Sequence, residues 1–289
     1  MEVLLPGTLD EALEMAAANP DVVPIAGGTD VMVELNMDLG RPETLMDISR
    51  LDELREWRRE DGHVFLGAGV TYARIIDELA GLTPLVQASR SVGSPQIRNR
   101  GTVGGNLGTA SPAGDALPVL AAYDAEVVLV RSGGDMRTVA WNDFVTGVKQ
   151  TSRGQGELIL GARWAPPRGP GSFSKIGTRN AMVIAVASVC LQLDEDGRSV
   201  RVALGSVAPT VVRAAEAEAF AASALDEGGA WDDPTASLGD AELDRFRELV
   251  AAAGSPIDDV RGTGAYRRHA CAVLARRALG WALEDRRVA

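Results

Sequence analysis

Two glycine-rich stretches constrain this chain more than any other feature of its sequence. The first covers residues 25–30 (IAGGTD), the second covers residues 100–106 (RGTVGGN), and a short segment at 111–115 (SPAGD) follows closely. Paired glycines allow a backbone to adopt positive φ and a ligand to approach the main chain. Successive N–H groups in such turns form concave anion-binding nests, and neighbouring hydroxyl groups add donors. The two stretches therefore predict a diphosphate that is held from two sides.

Glycine pairs also occur in ordinary turns, and this chain contains 32 glycines. The local context favours a ligand loop, because the apolar run at 22–26 is typical of a buried strand that ends at the first pair. A third glycine segment, Gly67-Ala68-Gly69, resembles a dinucleotide fingerprint, but Tyr72 stands where the third glycine is needed. The chain also lacks the Gly-Lys-Ser/Thr sequence of a P-loop. A Rossmann site and a P-loop are therefore not expected.

These motifs resemble those of a known family, the flavin subunits and domains of the molybdenum hydroxylases. The Ala-Gly-Gly-Thr-Asp turn is similar to the first pyrophosphate loop of that family, and Thr-Val-Gly-Gly-Asn is similar to the second. The resemblance extends over nearly the whole chain, including segments at 66–71 (LGAGVT), 94–99 (SPQIRN), 259–262 (DVRG) and 266–268 (YRR). It implies bound FAD, held non-covalently, since no histidine or cysteine lies within the motifs.

The sequence also predicts where the chain divides. The proline- and glycine-rich segment at 166–171 is the best candidate for a domain boundary, and the strands followed by helices beyond it indicate an α+β domain. The resemblance implies an α+β fold in which a two-lobed flavin-binding domain of the PCMH, or vanillyl-alcohol oxidase-like, type precedes a smaller α+β domain. The expected limits are 1–168 for the first domain, with lobes of about 1–55 and 60–168, and 172–286 for the second.

Hydrophobic periodicity predicts the individual elements. Thr8 and Glu11 have the spacing of a capping box at the start of the first helix, and residues 132–135 (SGGD) supply a hairpin turn. The predicted strands cover 22–26, 44–48, 63–68, 125–130, 136–140, 158–164, 173–177, 183–193 and 199–207. The predicted helices cover 8–18, 71–79, 85–92, 115–123, 214–224, 240–253 and 266–284.

The resemblance also assigns residues to the cofactor. Asp115 follows the second stretch as the acidic ligand of the family does, although a helix N-cap or first-turn acid explains it equally well. Lys175 and Leu160 match positions near the isoalloxazine, but Lys175 also fits a solvated position on an alternating strand. Val92 stands where the family can place an aromatic residue. The expected FAD-binding residues are Pro24, Ile25, Ala26, Gly27, Gly28, Thr29, Asp30, Val31, Thr102, Val103, Gly104, Gly105, Asn106, Thr109, Ser111, Asp115, Leu160 and Lys175.

Composition excludes several other classes of protein. The net charge of −11 provides no basic field for nucleic acid or acidic membranes. No apolar run is long enough to span a membrane, and the N-terminus lacks a secretory pattern, so a cytoplasmic location is expected. The two histidines, His63 and His269, cannot form a histidine-rich metal site, and the two cysteines are expected to be buried thiols. No catalytic acid, base or nucleophile and no metal ligand is predicted in this chain.

Three functions remain compatible with these features. The resemblance favours an electron-transfer flavoprotein subunit of a xanthine dehydrogenase-like enzyme, which passes electrons from iron–sulfur clusters to NAD or another acceptor. The four-cysteine pattern of such a cluster is absent, so the 2Fe-2S clusters and the molybdenum cofactor are expected on a small and a large partner subunit. The alternatives are a self-sufficient FAD-dependent oxidoreductase of related fold and an assembly protein without cofactor, against which the intact glycine pairs argue.

Overall fold

The structure is a computed structural model that describes residues 1–288. Its chain forms two compact units that alternate along the sequence. The first unit contains Met1–Glu78, Ser94–Ala110 and Asp124–Ala165, and the second contains Leu79–Gly93, Ser111–Tyr123 and the chain from Pro166 onward. Two segments of the predicted first domain thus pack within the second unit. The expected limits of the domains and of the lobes remain predictions.

Strands and helices are mixed along the first half of the chain, with five successive helices between residues 72 and 122, and three long helices follow the last strands. The strands are β1 Glu2–Leu4, β2 Val23–Ile25, β3 Thr44–Asp47, β4 Trp57–Glu60, β5 His63–Gly67, β6 Glu126–Val130, β7 Met136–Ala140, β8 Val145–Gly147, β9 Gln150–Thr151, β10 Leu158–Trp164, β11 Gly171–Ile176, β12 Ala187–Asp194, β13 Ser199–Gly205 and β14 Val212–Arg213. The helices are α1 Leu9–Ala18, α2 Val31–Asn36, α3 Tyr72–Glu78, α4 Thr83–Ser91, α5 Pro95–Arg100, α6 Val103–Thr109, α7 Ala116–Ala122, α8 Trp141–Phe144, α9 Ala215–Glu227, α10 Asp240–Ala253 and α11 Gly264–Arg286, with a short 3-10 helix at Asp52–Leu54.

The first unit begins with a parallel sheet of three strands in the order β1-β3-β2. Helix α1 connects β1 to β2, and the hydroxyl oxygen of Thr8 accepts a hydrogen bond from the Glu11 N–H, 3.2 Å away. This confirms the predicted cap, although the Glu11 carboxylate accepts from the Gly7 N–H instead of completing the box. The apolar face of α1 joins a buried cluster that also contains Val22, Met46 and Leu54.

The first unit also contains an antiparallel sheet of five strands in the order β4-β5-β10-β6-β7, and β8 pairs with β9 in a separate sheet of two strands. The predicted strands near 63–68, 125–130, 136–140 and 158–164 are confirmed, and Gly133 and Gly134 form the predicted hairpin turn with φ of 89° and 77°. Strand β4 was not predicted, because Arg58, Arg59 and Glu60 are exposed and leave no apolar alternation.

The second unit has one antiparallel sheet in the order β11-β12-β13-β14, and its core lies against helices α9, α10 and α11. Helix α4 packs beside the edge strand β11, where the Gln87 side chain accepts a hydrogen bond from the Phe173 N–H at 2.7 Å. This contact satisfies a donor of the sheet edge that would otherwise be available to another strand. The three predicted C-terminal helices are confirmed.

Strand β12 begins later than predicted. Residues 183–193 were expected to form it, but the strand starts at Ala187, and Met182 adopts a positive φ of 51° in the preceding loop. The apolar side chains of Met182 and Ile184 are exposed, so the hydrophobic run there does not report burial in a sheet. Within residues 1–288, no helix has the length and apolar character needed to cross a membrane.

Candidate flavin site

The first glycine stretch forms an open turn directly after β2. Gly28 has φ of 74°, in the left-handed region that glycine adopts without a steric penalty. Within the described residues, the backbone N–H groups of Gly27, Gly28, Thr29 and Asp30 have no hydrogen-bond acceptor. Consecutive unsatisfied N–H groups in a turn are the donors that a nest offers to an anion. This turn therefore has the chemistry predicted for a pyrophosphate loop.

The second glycine stretch packs directly against the first. A Cβ atom on Gly27 would lie 1.8 Å from the carbonyl oxygen of Arg100 and 2.9 Å from the nitrogen of Gly101. No side chain fits at that distance, so Gly27 is required by the close approach of two backbones. The structure thus brings together the two motifs that the sequence separates, as the prediction of a ligand held from two sides requires.

Residues 103–109 form helix α6, which the sequence did not predict. Thr102 caps it, with its hydroxyl oxygen accepting from the Gly105 N–H at 2.9 Å. The N–H groups of Val103 and Gly104 donate to the carbonyl oxygens of Val70 and Ala68. The N–H groups at the start of α6 are therefore not available to a ligand, which could only pack against the surface of this helix. The first turn, in contrast, offers free N–H groups.

The glycines of α6 have two different roles. A Cβ atom on Gly104 would lie 2.4 Å from the Cβ atom of Ala68, so Gly104 permits close packing within the protein. Gly105 and Gly108 are exposed and lie three residues apart, which places them on one face of the helix. An added Cβ at Gly105 would meet only the Thr102 hydroxyl, at 3.2 Å, and one at Gly108 only Ile159, at 3.7 Å. No side chain covers the backbone at these two positions, so a flat ligand can approach this face of the helix closely.

Polar side chains connect the two motifs. The Thr109 hydroxyl donates to a carboxylate oxygen of Asp30 at 3.0 Å, which joins the end of α6 to the first turn. The side-chain carbonyl oxygen of Asn106 is buried and has no hydrogen-bond partner among residues 1–288. Such an orphaned acceptor is unfavourable unless a ligand or water completes it. Both features fit a bound polar group at this position.

Leu160 lies at an irregularity of β10. The pairing of β10 with β6 shifts between Ile159 and Gly161, and the Leu160 carbonyl oxygen accepts a hydrogen bond from the Ala68 N–H at 2.9 Å. Ala68 is also the residue that packs against Gly104. Leu160 is therefore placed in the same part of the first unit as α6, although its predicted contact with the isoalloxazine remains a prediction.

Asp115 and Lys175 form a buried ion pair in the second unit. The Lys175 ammonium lies 2.5 Å from Oδ2 of Asp115 and also donates to the carbonyl oxygen of Ser91 at 3.0 Å. The Asp115 side chain is only 7% exposed, and the Lys175 side chain is only 8% exposed. Lys175 is thus not a solvated strand lysine, and Asp115 makes no side-chain capping bond at the start of α7. The solvated position expected for Lys175 is therefore wrong, whereas Asp115 does stand at the N-cap position of α7 but uses its side chain to pair with Lys175.

The ion pair leaves one acceptor unused. Oδ1 of Asp115 is buried and has no partner within the described chain, whereas Oδ2 also accepts from the Ser91 hydroxyl at 3.1 Å. Burial raises the pKa of the Asp115 carboxyl above its usual value, and the neighbouring Lys175 ammonium opposes that increase. Ser111, in contrast, uses its side-chain oxygen locally, as an acceptor for the Ala113 N–H.

Sequence reasoning missed two features of these sites. Ser91 was not predicted as a site residue, and only the tertiary structure brings it to Lys175. Gly108 was also missed, although the spacing of Gly105 and Gly108 would have indicated a glycine face if residues 103–109 had been predicted as a helix. The described chain contains no group of histidine, cysteine or acidic residues that can bind a metal ion.

The residues present fit a dinucleotide such as FAD in the first unit. The free N–H groups of the turn supply donors for a diphosphate, and the glycine face of α6 admits close approach. Comparison with known protein families gives two matches. Residues 1–163 match the family described as "FAD binding domain in molybdopterin dehydrogenase", and residues 172–282 match the family described as "CO dehydrogenase flavoprotein C-terminal domain". The chain belongs to the FAD-binding subunits of the molybdenum hydroxylases.

Individual relatives agree with this membership. The chain is 30% identical to the glyceraldehyde dehydrogenase medium chain of Sulfolobus acidocaldarius over 277 residues, which are 94% of each protein. It is 32% identical to a xanthine dehydrogenase FAD-binding subunit of Escherichia coli O157:H7, covering 75% of this chain and 77% of that protein. It is 30% identical to the carbon monoxide dehydrogenase medium chain of Afipia carboxidovorans, covering 90% and 88%. The chain is therefore an oxidoreductase subunit.

Solved structures show the same fold. The carbon monoxide dehydrogenase of Hydrogenophaga pseudoflava that lacks the Mo-pyranopterin moiety matches with a TM-score of 0.85 at 26% identity, covering 99% of this chain and 98% of that chain. Quinoline 2-oxidoreductase from Pseudomonas putida 86 matches in fold with a TM-score of 0.86 at 24% identity and the same coverage. The predicted α+β class, with a flavin-binding domain followed by a C-terminal domain, is confirmed.

Proposed function

We propose that this flavoprotein subunit passes electrons from iron–sulfur clusters on a partner chain, through FAD, to NAD or another acceptor. The observation that carries the proposal is the meeting of the two glycine stretches in the first unit, with four backbone N–H groups unsatisfied in the turn at 27–30. FAD supplies the redox chemistry when it is bound. The protein's own residues bind the cofactor, orient it and exclude water from it.

The cysteines support the need for partners. The sequence has two, Cys190 and Cys271, and both are buried free thiols. Burial raises the pKa of Cys271 to about 12 and that of Cys190 still further, so neither forms a thiolate readily. A [2Fe–2S] cluster needs four ligands. We therefore assign the clusters to a small iron–sulfur subunit and the molybdenum cofactor to a large subunit, in a cytoplasmic complex.

The residue assignments follow the two units. In the first unit, the proposed FAD ligands are the backbone from Pro24 to Val31, the residues from Thr102 to Asn106 at the start of α6, Thr109 and Leu160. In the second unit they are Ser111, Asp115 and Lys175, of which Asp115 offers an unused oxygen. The expected mode of binding is non-covalent, because no histidine or cysteine lies within the motifs and both cysteines are buried.

The acceptor and the enzyme type are more specific proposals. The segment Ser111–Asp115 resembles the xanthine dehydrogenase type, which motivates NAD as the acceptor. The similarity to a xanthine dehydrogenase FAD-binding subunit supports this choice. However, chains from carbon monoxide and glyceraldehyde dehydrogenases are similar to a comparable degree. The organic substrate would bind to the large subunit, so the sequence of this chain does not determine it.

Purification of the native protein tests the proposal. We expect about one FAD per chain, released completely by acid precipitation, together with a chain that contains [2Fe–2S] clusters and a chain that contains molybdenum. Flavin that stays on the precipitated protein would contradict non-covalent binding. A lone, colourless protein that cannot be reconstituted with FAD would refute the function, and a monomer that oxidises an organic substrate alone would favour the self-sufficient flavoenzyme.

A further inference from the structure

The short hairpin formed by β8 and β9 contacts both elements of the candidate flavin site in the first unit. At its tip, the backbone N–H of Lys149 donates to the carbonyl oxygen of Ala110 at 3.2 Å, directly after α6. The Lys149 ammonium lies 2.5 Å from Oε1 of Glu34 in α2, the helix that follows the first turn. We infer that Lys149 is a positioning residue that holds the first turn and α6 together and slows the release of FAD, an inference that rests on the proposed function.

Glu34 is directly connected to the first turn. Its backbone N–H donates to the carbonyl oxygen of Asp30 at 3.1 Å, so α2 continues from the turn without a loop between them. All six residues of α2 are exposed or only partly buried. An element with little buried surface is held weakly by packing. A polar link to Glu34 therefore has a large share in fixing the turn whose N–H groups are unsatisfied.

Ala110 connects Lys149 to α6 on the other side of the site. It caps the C-terminus of that helix, where its N–H donates to the carbonyl oxygen of Asn106 at 3.0 Å. The preceding residue, Thr109, makes the hydrogen bond to Asp30 that joins α6 to the first turn. Lys149 thus adds a second connection between the same two elements, one helical turn further along α2.

Both residues of the backbone contact adopt a conformation that is unfavourable for a residue with a side chain. Ala110 has φ of 45° and Lys149 has φ of 55°, in the left-handed region. Such conformations persist where the surrounding structure holds them, and they cluster at ligand clamps and switch regions. The base of the hairpin is firm, since the Ser152 N–H donates to the carbonyl oxygen of the buried Phe144 at 2.8 Å. Loss of the ion pair therefore leaves a strained contact at the tip, which can open.

The connection acts on the release of the cofactor because of how the cofactor is held. A diphosphate that is bound from two sides leaves when the two sides separate, so a restraint that joins them slows dissociation. Lys149 needs no contact with FAD for this role. Its side chain is 55% exposed and that of Glu34 is 43% exposed, so the strength of the pair is that of a surface ion pair and is reduced by salt.

The test measures the dissociation of FAD from the holoprotein, as the rise in flavin fluorescence after dilution below the dissociation constant. Lys149→Met should speed dissociation about two- to fivefold, as expected for loss of an exposed ion pair, whereas Lys149→Arg should stay near the wild-type rate. Glu34→Gln should act like Lys149→Met, and the double variant should be no faster than either single variant, since both remove the same interaction. At high ionic strength the wild-type rate should approach that of Lys149→Met.

Arg163→Met is the matched control, since the Arg163 guanidinium lies 2.8 Å from a Glu126 carboxylate oxygen in a pair of similar exposure within the first unit. It should leave the dissociation rate unchanged. If wild-type protein holds no FAD, the proposed function fails. If wild type holds FAD and neither Lys149→Met nor Glu34→Gln releases it faster, the function survives and this inference is overturned. Equally fast release from Arg163→Met would also overturn it.

Discussion

The ammonium of Lys175 lies 2.5 Å from a carboxylate oxygen of Asp115, and both side chains are more than nine-tenths buried. The pair joins β11 to the start of α7, and the bond from Lys175 to the Ser91 carbonyl adds the end of α4. The Lys175 ammonium thus connects three segments that are distant in sequence. The unused oxygen of Asp115 is the group that this arrangement leaves for a ligand.

Replacing Lys175 by alanine should destabilise the protein by about 3–5 kcal/mol, because it leaves a buried carboxylate without its cation. The pKa of Asp115 is already raised by burial, so loss of Lys175 raises it further. A raised pKa favours the folded state at low pH, and the deficit of Lys175→Ala should therefore shrink as the pH falls. Urea unfolding at several pH values measures this. The double variant Lys175→Met/Asp115→Asn should cost less than Lys175→Ala, and an equal or greater cost would contradict the explanation.

The same lysine should affect the flavin. If Lys175 lies near the isoalloxazine, its positive charge favours the reduced, anionic cofactor. Lys175→Ala should then lower the reduction potential of the bound FAD. When both effects are expressed as free energies, this change should exceed the loss of affinity for FAD. Arg213→Lys serves as a control for the general effect of altering a partly buried cation in the second unit. An unchanged potential in Lys175→Ala would remove Lys175 from the flavin site.

Gly28→Val should abolish FAD binding, because the added Cβ would meet side-chain carbons of Met32 and Ile25 at 3.3 and 3.4 Å and distort the turn that carries the unsatisfied N–H groups. Gly28 has φ of 74°, so part of the effect is backbone strain of about 1–2 kcal/mol. Gly62→Val controls for that strain, since Gly62 has φ of 75° and no atom within 4 Å of an added Cβ. Titration of both apoproteins with FAD should show loss only in Gly28→Val. Equal affinities would mean that the turn is structural.

Gly105→Val should abolish FAD binding while leaving the protein folded. Valine is a better helix former than glycine, and the added Cβ would meet only the Thr102 hydroxyl. Gly280→Val is the matched control, because Gly280 lies in α11 and an added Cβ there meets nothing within 4 Å. Gly280→Val should unfold at the same temperature as wild type or higher, and Gly105→Val should still unfold cooperatively, although its Cβ lies 3.2 Å from the Thr102 hydroxyl that caps α6. Retention of FAD in Gly105→Val would show that the face of α6 is not a cofactor surface.

Glu157→Gln should reduce stability at neutral pH by about 1 kcal/mol. The Arg137 guanidinium binds both Glu157 oxygens, at 2.7 and 2.8 Å, and this pairing holds the pKa of Glu157 below its ordinary value of 4.5. A lowered pKa stabilises the fold above pH 4.5, and that contribution is lost as the pH falls through the folded-state value. The difference between wild type and Glu157→Gln should therefore vanish in acid. A difference that persists there would contradict the assignment.

NAD should reoxidise the reduced protein if the complex is xanthine dehydrogenase-like. Stopped-flow measurements with NAD and with oxygen compare the two acceptors directly. Reoxidation by NAD should exceed the rate in buffer alone. If NAD has no effect while oxygen or a quinone reacts readily, the acceptor assignment is wrong and the flavoprotein assignment survives.

The sequence by itself determined the family, the two glycine motifs and most of the long elements. These features are local: a capped amphipathic helix such as α1, or the alternating strands β6 and β7, carries its own pattern of burial. The Gly27-Gly28 pair likewise indicates an unusual backbone, which Gly28 adopts with φ of 74°, although the contact that requires Gly27 is made with the distant Arg100 backbone. Prediction failed where polar or apolar side chains are exposed against expectation. The charged residues of β4 gave no apolar alternation, so the strand was missed, and the exposed apolar residues before β12 made the predicted strand longer than the observed one.

Tertiary structure alone decided the roles of particular residues. Helix α6 contains three glycines, so its own propensity opposes it, and bonds to Val70 and Ala68 help to fix its first turn. The sequence could not separate Gly104, needed for packing on Ala68, from Gly105, open to a ligand. Nor could it pair Asp115 with Lys175, since contacts between distant segments depend on the folded backbone and leave no periodic trace in either segment.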